Sequence, residues 1–146
     1  MQALRLLVTM LVAAVFIAAC GSADGDGTTT TITTDATVQS DVFVGVDGVE
    51  SSIADTSRIV ALNGDITETI FALGAGERVV GIDLTTTYPP EAAALPDVGL
   101  GRNLNAEAVL GLDPTLVIGD EQIEPESAIA QLRDAGVPVI ILPLEV

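Results

Sequence analysis

The sequence predicts an α/β fold, an open Rossmann-like parallel sheet of about four strands with helices on both faces. Short apolar runs rich in β-branched residues alternate along the chain with segments whose apolar residues have helical spacing. The runs are continuously apolar rather than alternating, as expected for parallel strands covered on both faces. The chain has 146 residues, of which 49% are hydrophobic, so we expect one domain at most with a packed core.

The charge balance excludes several classes of function. The chain carries 21 acidic residues against five arginines, has no lysine or histidine, and has a net charge of −16. We therefore expect no nucleic-acid partner, because phosphate contacts need a basic face. The absence of histidine excludes a histidine-containing zinc site and a histidine-based catalytic triad within this chain.

The first 40 residues predict export and attachment to a membrane. Residues 6–19 form an uninterrupted apolar run that is shorter than the ~20 residues of a bilayer-spanning helix but suits a signal peptide, which we assign to residues 1–19. Ile17, two alanines and Cys20 resemble the bacterial lipobox. This resemblance implies cleavage before Cys20, a lipid on its sulfur and an extracytoplasmic, membrane-anchored protein. The alternative is an ordinary signal site beside a structural or free thiol.

A tether and a small hairpin come next in the chain. Residues 20–40 are polar, repetitive and nearly free of core-forming side chains, which predicts a flexible acidic, threonine-rich tether. Residues 41–50 are a candidate hairpin, because Asp47 and Gly48 suit a tight turn in which glycine adopts a positive φ. The folded lobe is therefore expected over residues 41–146.

Four apolar runs predict the strands of the parallel sheet, at residues 58–62, 78–83, 115–119 and 137–142. The first helix is predicted to begin with a capping box in which Asp65 is the cap and Glu68 reaches back. Either Gly74 or Gly76 is expected to end this helix in the left-handed conformation.

Two further helices are expected between the later strands. Asn105 is predicted to cap a helix over residues 106–112, which Asp113 and Pro114 then terminate. Another helix is predicted to begin at Pro125, with Ile129 and Leu132 facing inward and Gly136 at its end.

The long connection over residues 85–107 is the candidate ligand-facing segment. Connections of this length in compact domains are usually functional or disordered, and this one contains Pro89, Pro90 and Pro96, which restrict its backbone. It also contains Tyr88, the only tyrosine of the chain. From the residues alone, Tyr88 is either a ligand contact or a loop anchor packed on the prolines.

No catalytic or phosphate-binding motif accompanies this fold. The pairs Gly74/Gly76 and Gly99/Gly101 each lack the third glycine of the dinucleotide fingerprint, so a helix end and a turn explain them better. No Walker sequence, nucleophile elbow or nucleophile with a paired base is present. We expect no enzyme, and a small α/β nucleotide-binding domain or enzyme remains the remote alternative.

Several blocks of the chain together resemble the substrate-binding proteins of ABC importers for iron–siderophores, heme and vitamin B12. The blocks are residues 58–75, 79–83, 88–92, 95–99, 104–110 and 113–118. The resemblance implies two Rossmann-like lobes joined by a long helix, with ligand bound between them. Residues 41–146 would then be the N-terminal lobe, without the second lobe.

Within that family, residues 85–92 and 95–99 are most similar to the heme (hemin) binders. The resemblance implies that Tyr88 is an axial ligand of ferric heme iron, for which a phenolate is a suitable hard oxygen donor. Heme is then the transported cargo, and no catalytic cofactor is expected. A siderophore- or cobalamin-binding member of the same family is the alternative, because the acidic residues 120–126 depart from the heme binders' pattern.

Two more residues receive candidate roles. Arg102 lies in the same long connection and is a candidate partner for a heme propionate, although a plain surface salt bridge is equally compatible with the residues. Glu107 falls in the first turn of the helix capped by Asn105, where it either complements the helix dipole, by ~0.5 kcal/mol, or docks on the transporter. The resemblance favours docking, which implies an ABC permease and its ATPase as partners.

Overall fold

The computed structural model describes residues 41–144. The predicted signal peptide (residues 1–19), Cys20 and the tether over residues 20–40 lie outside the described residues, so these remain predictions. The helices and strands of the described part, in chain order, are β1 Asp41–Val44, β2 Glu50–Ile53, β3 Ile59–Leu62, α1 Gly64–Ala72, β4 Val79–Ile82, α2 Ala106–Leu110, β5 Leu116–Asp120, α3 Glu126–Asp134 and β6 Val139–Leu142. Short 3₁₀ turns cover Gly76–Arg78, Ala92–Ala94 and Gly101–Asn103.

Four strands form one parallel sheet in the order β4-β3-β5-β6. Ile59 pairs with both Val79 and Leu116, and Val117 pairs with Val139, all in parallel register. Because the strands are parallel, their carboxyl ends lie at one edge, where ligands bind in open α/β sheets. The predicted parallel sheet is confirmed.

The two faces of the sheet carry separate apolar cores. Successive residues of a strand point to opposite faces, and β3 shows this directly, because Val60 belongs to one core and Ala61 to the other. The first core includes Val109 of α2 and Leu132 of α3, and the second includes Ile70 of α1. The prediction of helices on both faces is therefore confirmed.

The predicted hairpin is also confirmed, with its second strand running further than expected. β1 and β2 pair antiparallel from Val44 opposite Glu50 to Asp41 opposite Ile53, and Gly48 has a φ of 74° in the turn. The turn lies against the outer edge of the sheet, where the Val46 amide donates to the Ile141 carbonyl of β6 at 3.0 Å. The hairpin thus covers the edge strand β6.

The predicted capping box at Asp65 is wrong, because Asn63 caps α1. The Asn63 side-chain oxygen accepts from the Asp65 amide at 2.8 Å, and Asp65 lies inside the first turn. The helix begins directly after β3, which leaves Asn63 as the residue between the two elements. Gly74, with a φ of 76°, follows the end of α1 as predicted.

The boundaries of the remaining elements differ from their predictions by a few residues. Asn105 caps α2 as predicted and accepts from the Glu107 amide at 2.9 Å, but the helix ends at Leu110. Helix α3 ends at Asp134 and is followed by Gly136, with a φ of 83°; Val137 and Pro138 then lead into strand β6, which begins at Val139.

Candidate functional site

Polar residues follow the strands at the carboxyl edge of the sheet. Asn63, Asp83 and Asp120 lie at the ends of β3, β4 and β5. The two aspartates are almost fully buried, 3% and 5% exposed, respectively. Buried carboxylates must be hydrogen-bonded, so their partners define how the edge is organised.

The Asp83 carboxylate holds the beginning of the Tyr88 connection. Its Oδ1 atom accepts from the Thr85 hydroxyl at 2.7 Å, the Thr85 amide at 3.2 Å and the Thr86 hydroxyl at 3.4 Å. The Thr85 hydroxyl in turn accepts from the Gly64 amide at 3.0 Å, and the Thr86 and Thr67 hydroxyls lie 3.1 Å apart. Residues 83–86 are therefore attached to the first turns of α1.

A second polar group connects β3 with the segment after β5. The Asn63 side-chain amide donates to Asp120 Oδ2, and Asp120 Oδ1 accepts from the Gln122 amide at 2.8 Å. The Leu104 amide donates to the Glu124 carbonyl at 2.7 Å, which brings the end of the long connection against the residues that follow β5.

Tyr88 lies on the surface beside α1. The residue is 60% exposed, so its side chain is open to a ligand. The side chain lines a hollow of about 580 Å³ with Phe71, Ala72 and Pro89, and the carboxylates of Glu68 and Glu91 also border it. The Tyr88–Pro89 peptide bond is cis.

Arg102 lies in the 3₁₀ turn Gly101–Asn103 and is exposed. It lines a narrow cleft of about 40 Å³ whose walls include Asn63, Asp83 and Asp120. Within residues 41–144, no carboxylate oxygen lies within 4.0 Å of its guanidinium, so the alternative of a surface salt bridge is absent from the described part. Tyr88 and Arg102 line two different hollows, and the structure does not bring them into one pocket.

Glu107 is exposed in the first turn of α2. The bond between Leu104 and Glu124 places the start of this helix beside the segment after β5, at the carboxyl edge of the sheet. The side chain is therefore available to a partner that approaches this edge. The fourth predicted site residue, Cys20, lies outside the described residues.

Sequence reasoning missed the polar groups that organise the site. No structural role at this edge was predicted for Asp83, Thr86, Thr67 or Asp120, yet each is less than 9% exposed and hydrogen-bonded there. The sequence does contain a signal for two of them. Asp83 directly follows the apolar run of β4, and Asp120 ends the apolar run of β5. Carboxylates at the ends of adjacent parallel strands meet at one edge.

Residues 41–144 lack two other features that could indicate a function. No cluster of three or more metal-ligating histidine, cysteine, aspartate or glutamate side chains occurs among them. None of the helices in this range has the length and apolar character needed to cross a bilayer.

Comparison with known proteins identifies the family. Residues 59–146 match the family model described as periplasmic binding protein. The chain is 36% identical over 139 residues to an ABC transporter substrate-binding lipoprotein, YvrC, of Bacillus subtilis, which covers 90% of this chain and 42% of the relative. It is 29% identical over 92 residues to the vitamin B12-binding protein of Pectobacterium atrosepticum, covering 63% of this chain and 33% of that protein.

A solved structure supports the same assignment. The periplasmic heme-binding protein RhuT from Roseiflexus sp. RS-1, in apo form, superimposes with a TM-score of 0.58 and 58% identity, covering 61% of this chain and 34% of that chain. Other solved chains that match are also named as heme-binding proteins. The chain therefore spans less than half the length of these proteins, and it belongs to the periplasmic binding protein family.

Proposed function

We propose that this chain is the first lobe of an extracytoplasmic protein that captures ferric heme and delivers it to an ABC-transporter permease. In this proposal Tyr88 is the axial ligand of the iron, Arg102 pairs with a propionate and Glu107 docks on the permease. A lipid on Cys20 attaches the protein to the outer face of the cell membrane. Capture and release involve no bond making apart from the reversible iron–phenolate bond.

The exposed phenol is the observation that carries the proposal. A tyrosine 60% exposed beside a hollow of about 580 Å³ is open to coordination by an incoming metal complex. Its backbone is nevertheless restrained, since Thr85 and Thr86 are bonded to Asp83. The relatives with solved structures and up to 58% identity include several heme-binding proteins, which supports heme as the cargo.

The separate positions of Tyr88 and Arg102 match the chemistry of heme. The iron lies at the centre of the macrocycle, and the propionates project from its rim, so the two contacts need different places on the protein. Asp83 and Asp120, which also line the Arg102 cleft, already have hydrogen-bond donors of their own. Arg102 has no carboxylate partner within residues 41–144 and is available for a charge-assisted hydrogen bond.

Cobalamin is the second candidate cargo. Vitamin B12-binding proteins are among the relatives, at 29% to 31% identity. The exposed carboxylates Glu121, Glu124 and Glu126 near the carboxyl edge give this region an acidic character that suits a corrinoid with neutral amide side chains better than a dianionic porphyrin.

The Tyr88→Phe variant of the full-length protein tests the assignment of the iron ligand. The wild type with ferric heme is expected to show a high-spin spectrum with a tyrosinate charge-transfer band, and the variant is expected to lose this band. Heme affinity should fall by about 100-fold, since changes in the outer shell of a metal site alone cost about 10- to 100-fold. The measurements are absorption spectroscopy and heme titration.

Exposure of the ring provides the control for folding. Because Tyr88 is 60% exposed, Tyr88→Phe should change the free energy of unfolding by less than about 0.5 kcal/mol. An unchanged charge-transfer band in the folded variant would refute Tyr88 as the ligand. Binding of cyanocobalamin by both forms with equal affinity, without a heme spectrum in the wild type, would establish the second candidate.

Delivery to the permease is tested in cells that depend on heme uptake. Glu107→Gln should slow uptake while heme affinity of the purified protein stays unchanged, because the exposed Glu107 side chain would contact the permease rather than the cargo.

In the same cells, Cys20→Ser should move the protein from the membrane fraction to the soluble fraction.

The matched control for Glu107 is Asp134→Asn. Asp134 is an exposed carboxylate at the last residue of α3, away from the carboxyl edge, and its loss changes the net charge by the same amount. Equal uptake by the Glu107 variant and the wild type would remove the docking role. An equal loss of uptake and heme affinity would assign Glu107 to helix stability instead.

A further inference from the structure

We propose that Asp83, Thr86 and Thr67 form a hydrogen-bond clamp that positions Tyr88 for iron coordination. The inference rests on the proposed function, because it assigns positioning residues to the phenol that would bind the iron. The three side chains are almost fully buried, at 3%, 7% and 0% exposed, and none of them lines the Tyr88 hollow, although Asp83 borders the Arg102 cleft. Their effect on the Tyr88 phenol must therefore pass through the backbone of its segment.

The clamp fixes the segment on the side that precedes Tyr88. The Thr86 hydroxyl lies between two buried partners, 3.4 Å from Asp83 Oδ1 of the sheet and 3.1 Å from the Thr67 hydroxyl of α1. The Thr86 amide also donates to the Asp83 carbonyl at 3.1 Å. Thr86 is separated from Tyr88 by a single residue, so the clamp defines the direction in which the chain enters Tyr88.

The segment is also fixed on the side that follows Tyr88. The Pro89 carbonyl accepts from the amides of Ala92 and Ala93 at 2.9 and 3.1 Å, and the Ala92 side chain is completely buried. Pro89 and Pro90 each restrict φ to about −65°. Tyr88 therefore lies between two anchored points that are six residues apart, Thr86 and Ala92.

Close contact with α1 completes the restraint. A Cβ atom on Gly64 would lie 3.0 Å from the Thr85 carbonyl oxygen, so the connection lies against the first residue of the helix and would have to shift by a few tenths of an ångström to accept a methyl group. The Gly64 amide donates to the Thr85 hydroxyl at 3.0 Å. The helix and the connection are therefore in direct contact at this point.

The clamp restrains Tyr88 through the backbone, because the Tyr88 side chain has no hydrogen bond of its own in the described part. Within residues 41–144, no hydrogen bond joins the Tyr88 hydroxyl to another group, and its ring is largely exposed. A ligand atom on an unrestrained loop loses conformational freedom on binding, which weakens affinity, whereas a restrained backbone has less freedom to lose. The clamp therefore limits how much order the iron–phenolate bond must impose.

The test compares two substitutions at Thr86 in the full-length protein. Thr86→Val keeps the shape of the side chain and removes the hydroxyl, whereas Thr86→Ser keeps the hydroxyl. We expect Thr86→Val to release heme roughly fivefold faster and Thr86→Ser to restore the wild-type rate, as the loss of one buried hydrogen bond predicts. Amide hydrogen exchange of residues 84–91 in the heme-free protein should rise in Thr86→Val alone.

A double-mutant cycle with Tyr88→Phe separates positioning from a general loss of stability. If Thr86 acts through the phenol, Thr86→Val should have no further effect on heme release in the Tyr88→Phe background. An equal acceleration in both backgrounds, or wild-type release by Thr86→Val, would overturn the clamp. A different result would refute the proposed function: an unchanged charge-transfer band in Tyr88→Phe alone.

A second variant keeps the test decisive if Thr86→Val does not fold. Gly64→Ala leaves every clamp hydroxyl in place but introduces a methyl group against the Thr85 carbonyl. It should increase hydrogen exchange over residues 84–91 and accelerate heme release, again only when Tyr88 is present. Faster exchange with unchanged release would show that the order of this segment has no influence on the ligand, and would overturn the inference.

Discussion

Arg133 and Arg102 have the same charge, in a chain with a net charge of −16, but opposite surroundings. Arg133 is partly buried, with 27% of its side chain exposed, and donates to Asp47 Oδ2 at 2.6 Å and to the Val139 carbonyl at 3.1 Å. These bonds join α3 to the hairpin turn and to β6. Arg102 is exposed at the carboxyl edge and makes no such ion pair within residues 41–144.

The difference shows how a structural cation is distinguished from one that is free to bind a ligand. The other two arginines of the described part follow Arg133. Arg58 donates to the Asp113 carbonyl at 2.8 Å, and Arg78 donates to the Thr56 hydroxyl at 3.1 Å. Arg102 differs from all three, because within residues 41–144 its guanidinium has neither an ion pair nor a hydrogen bond, and in so acidic a chain it keeps its full capacity to attract an anion. We therefore expect Arg102 to contribute to ligand affinity and Arg133 to contribute to the stability of the fold.

The larger expected effect is on ligand affinity. Arg102→Gln should weaken heme binding by about fivefold to tenfold, because it removes a charge-assisted hydrogen bond to a propionate. The tyrosinate band should persist, since the iron ligand is untouched. The free energy of unfolding should change by less than about 0.5 kcal/mol, because Arg102 has no partner to lose in the described part. Heme titration and denaturant unfolding measure the two quantities.

Two controls separate the propionate contact from a general effect of charge. Arg78→Gln removes the same charge, but Arg78 precedes β4 and lies at the opposite edge of the sheet. Heme dimethyl ester lacks the propionate charges, so Arg102→Gln should not weaken its binding. Two results would show that Arg102 has no specific contact with a propionate. One is that Arg78→Gln weakens heme binding as much as Arg102→Gln does. The other is that Arg102→Gln weakens binding of the dimethyl ester as much as binding of heme.

The sequence predicted the fold well because the fold depends on patterns. Continuous apolar runs and helical spacing are repeated properties of many residues, and burial on both faces of a parallel sheet requires them. The predicted N-cap of α1, Asp65, was wrong for a local reason. Asn63 and Asp65 are both good capping residues, and the choice depends on where β3 ends, which the sequence leaves undefined by one or two residues.

The candidate site was predictable only in part. Tyr88 stands out as the sole tyrosine in a long connection, and its exposure agrees with a ligand-facing position. The threonines that hold it do not stand out, because Thr67 and Thr86 belong to different elements and meet only after the connection folds onto α1. The different environments of Arg102 and Arg133 are likewise tertiary, since Asp47 lies 86 positions from Arg133.

The smallest expected effect concerns the pH dependence of the Arg133 contact. Partial burial raises the pKa of Asp47, but hydrogen bonds from Arg133 and the Val49 amide and the guanidinium charge outweigh this, so the pKa lies below its ordinary value of 3.8. A carboxylate whose pKa is lowered by folding stabilises the protein above pH 3.8. This contribution, at most about 1 kcal/mol for a pair that is still partly exposed to solvent, is lost as the pH falls through the pKa of the folded state.

Asp47→Asn isolates this contribution from the general effect of acid, which also relieves repulsion among the many carboxylates. The difference in unfolding free energy between wild type and variant should be present at pH 6 and shrink below pH 4. Asp55 is the matched control, because hydrogen bonds from the Ser57 side chain and amide lower its pKa without an arginine. High salt should reduce the Asp47 difference but not that of Asp55→Asn, since only the former includes an ion pair. A difference for Asp47→Asn that is independent of both pH and salt would show that Asp47 stabilises the protein through the turn hydrogen bond from the Val49 amide rather than through the ion pair with Arg133.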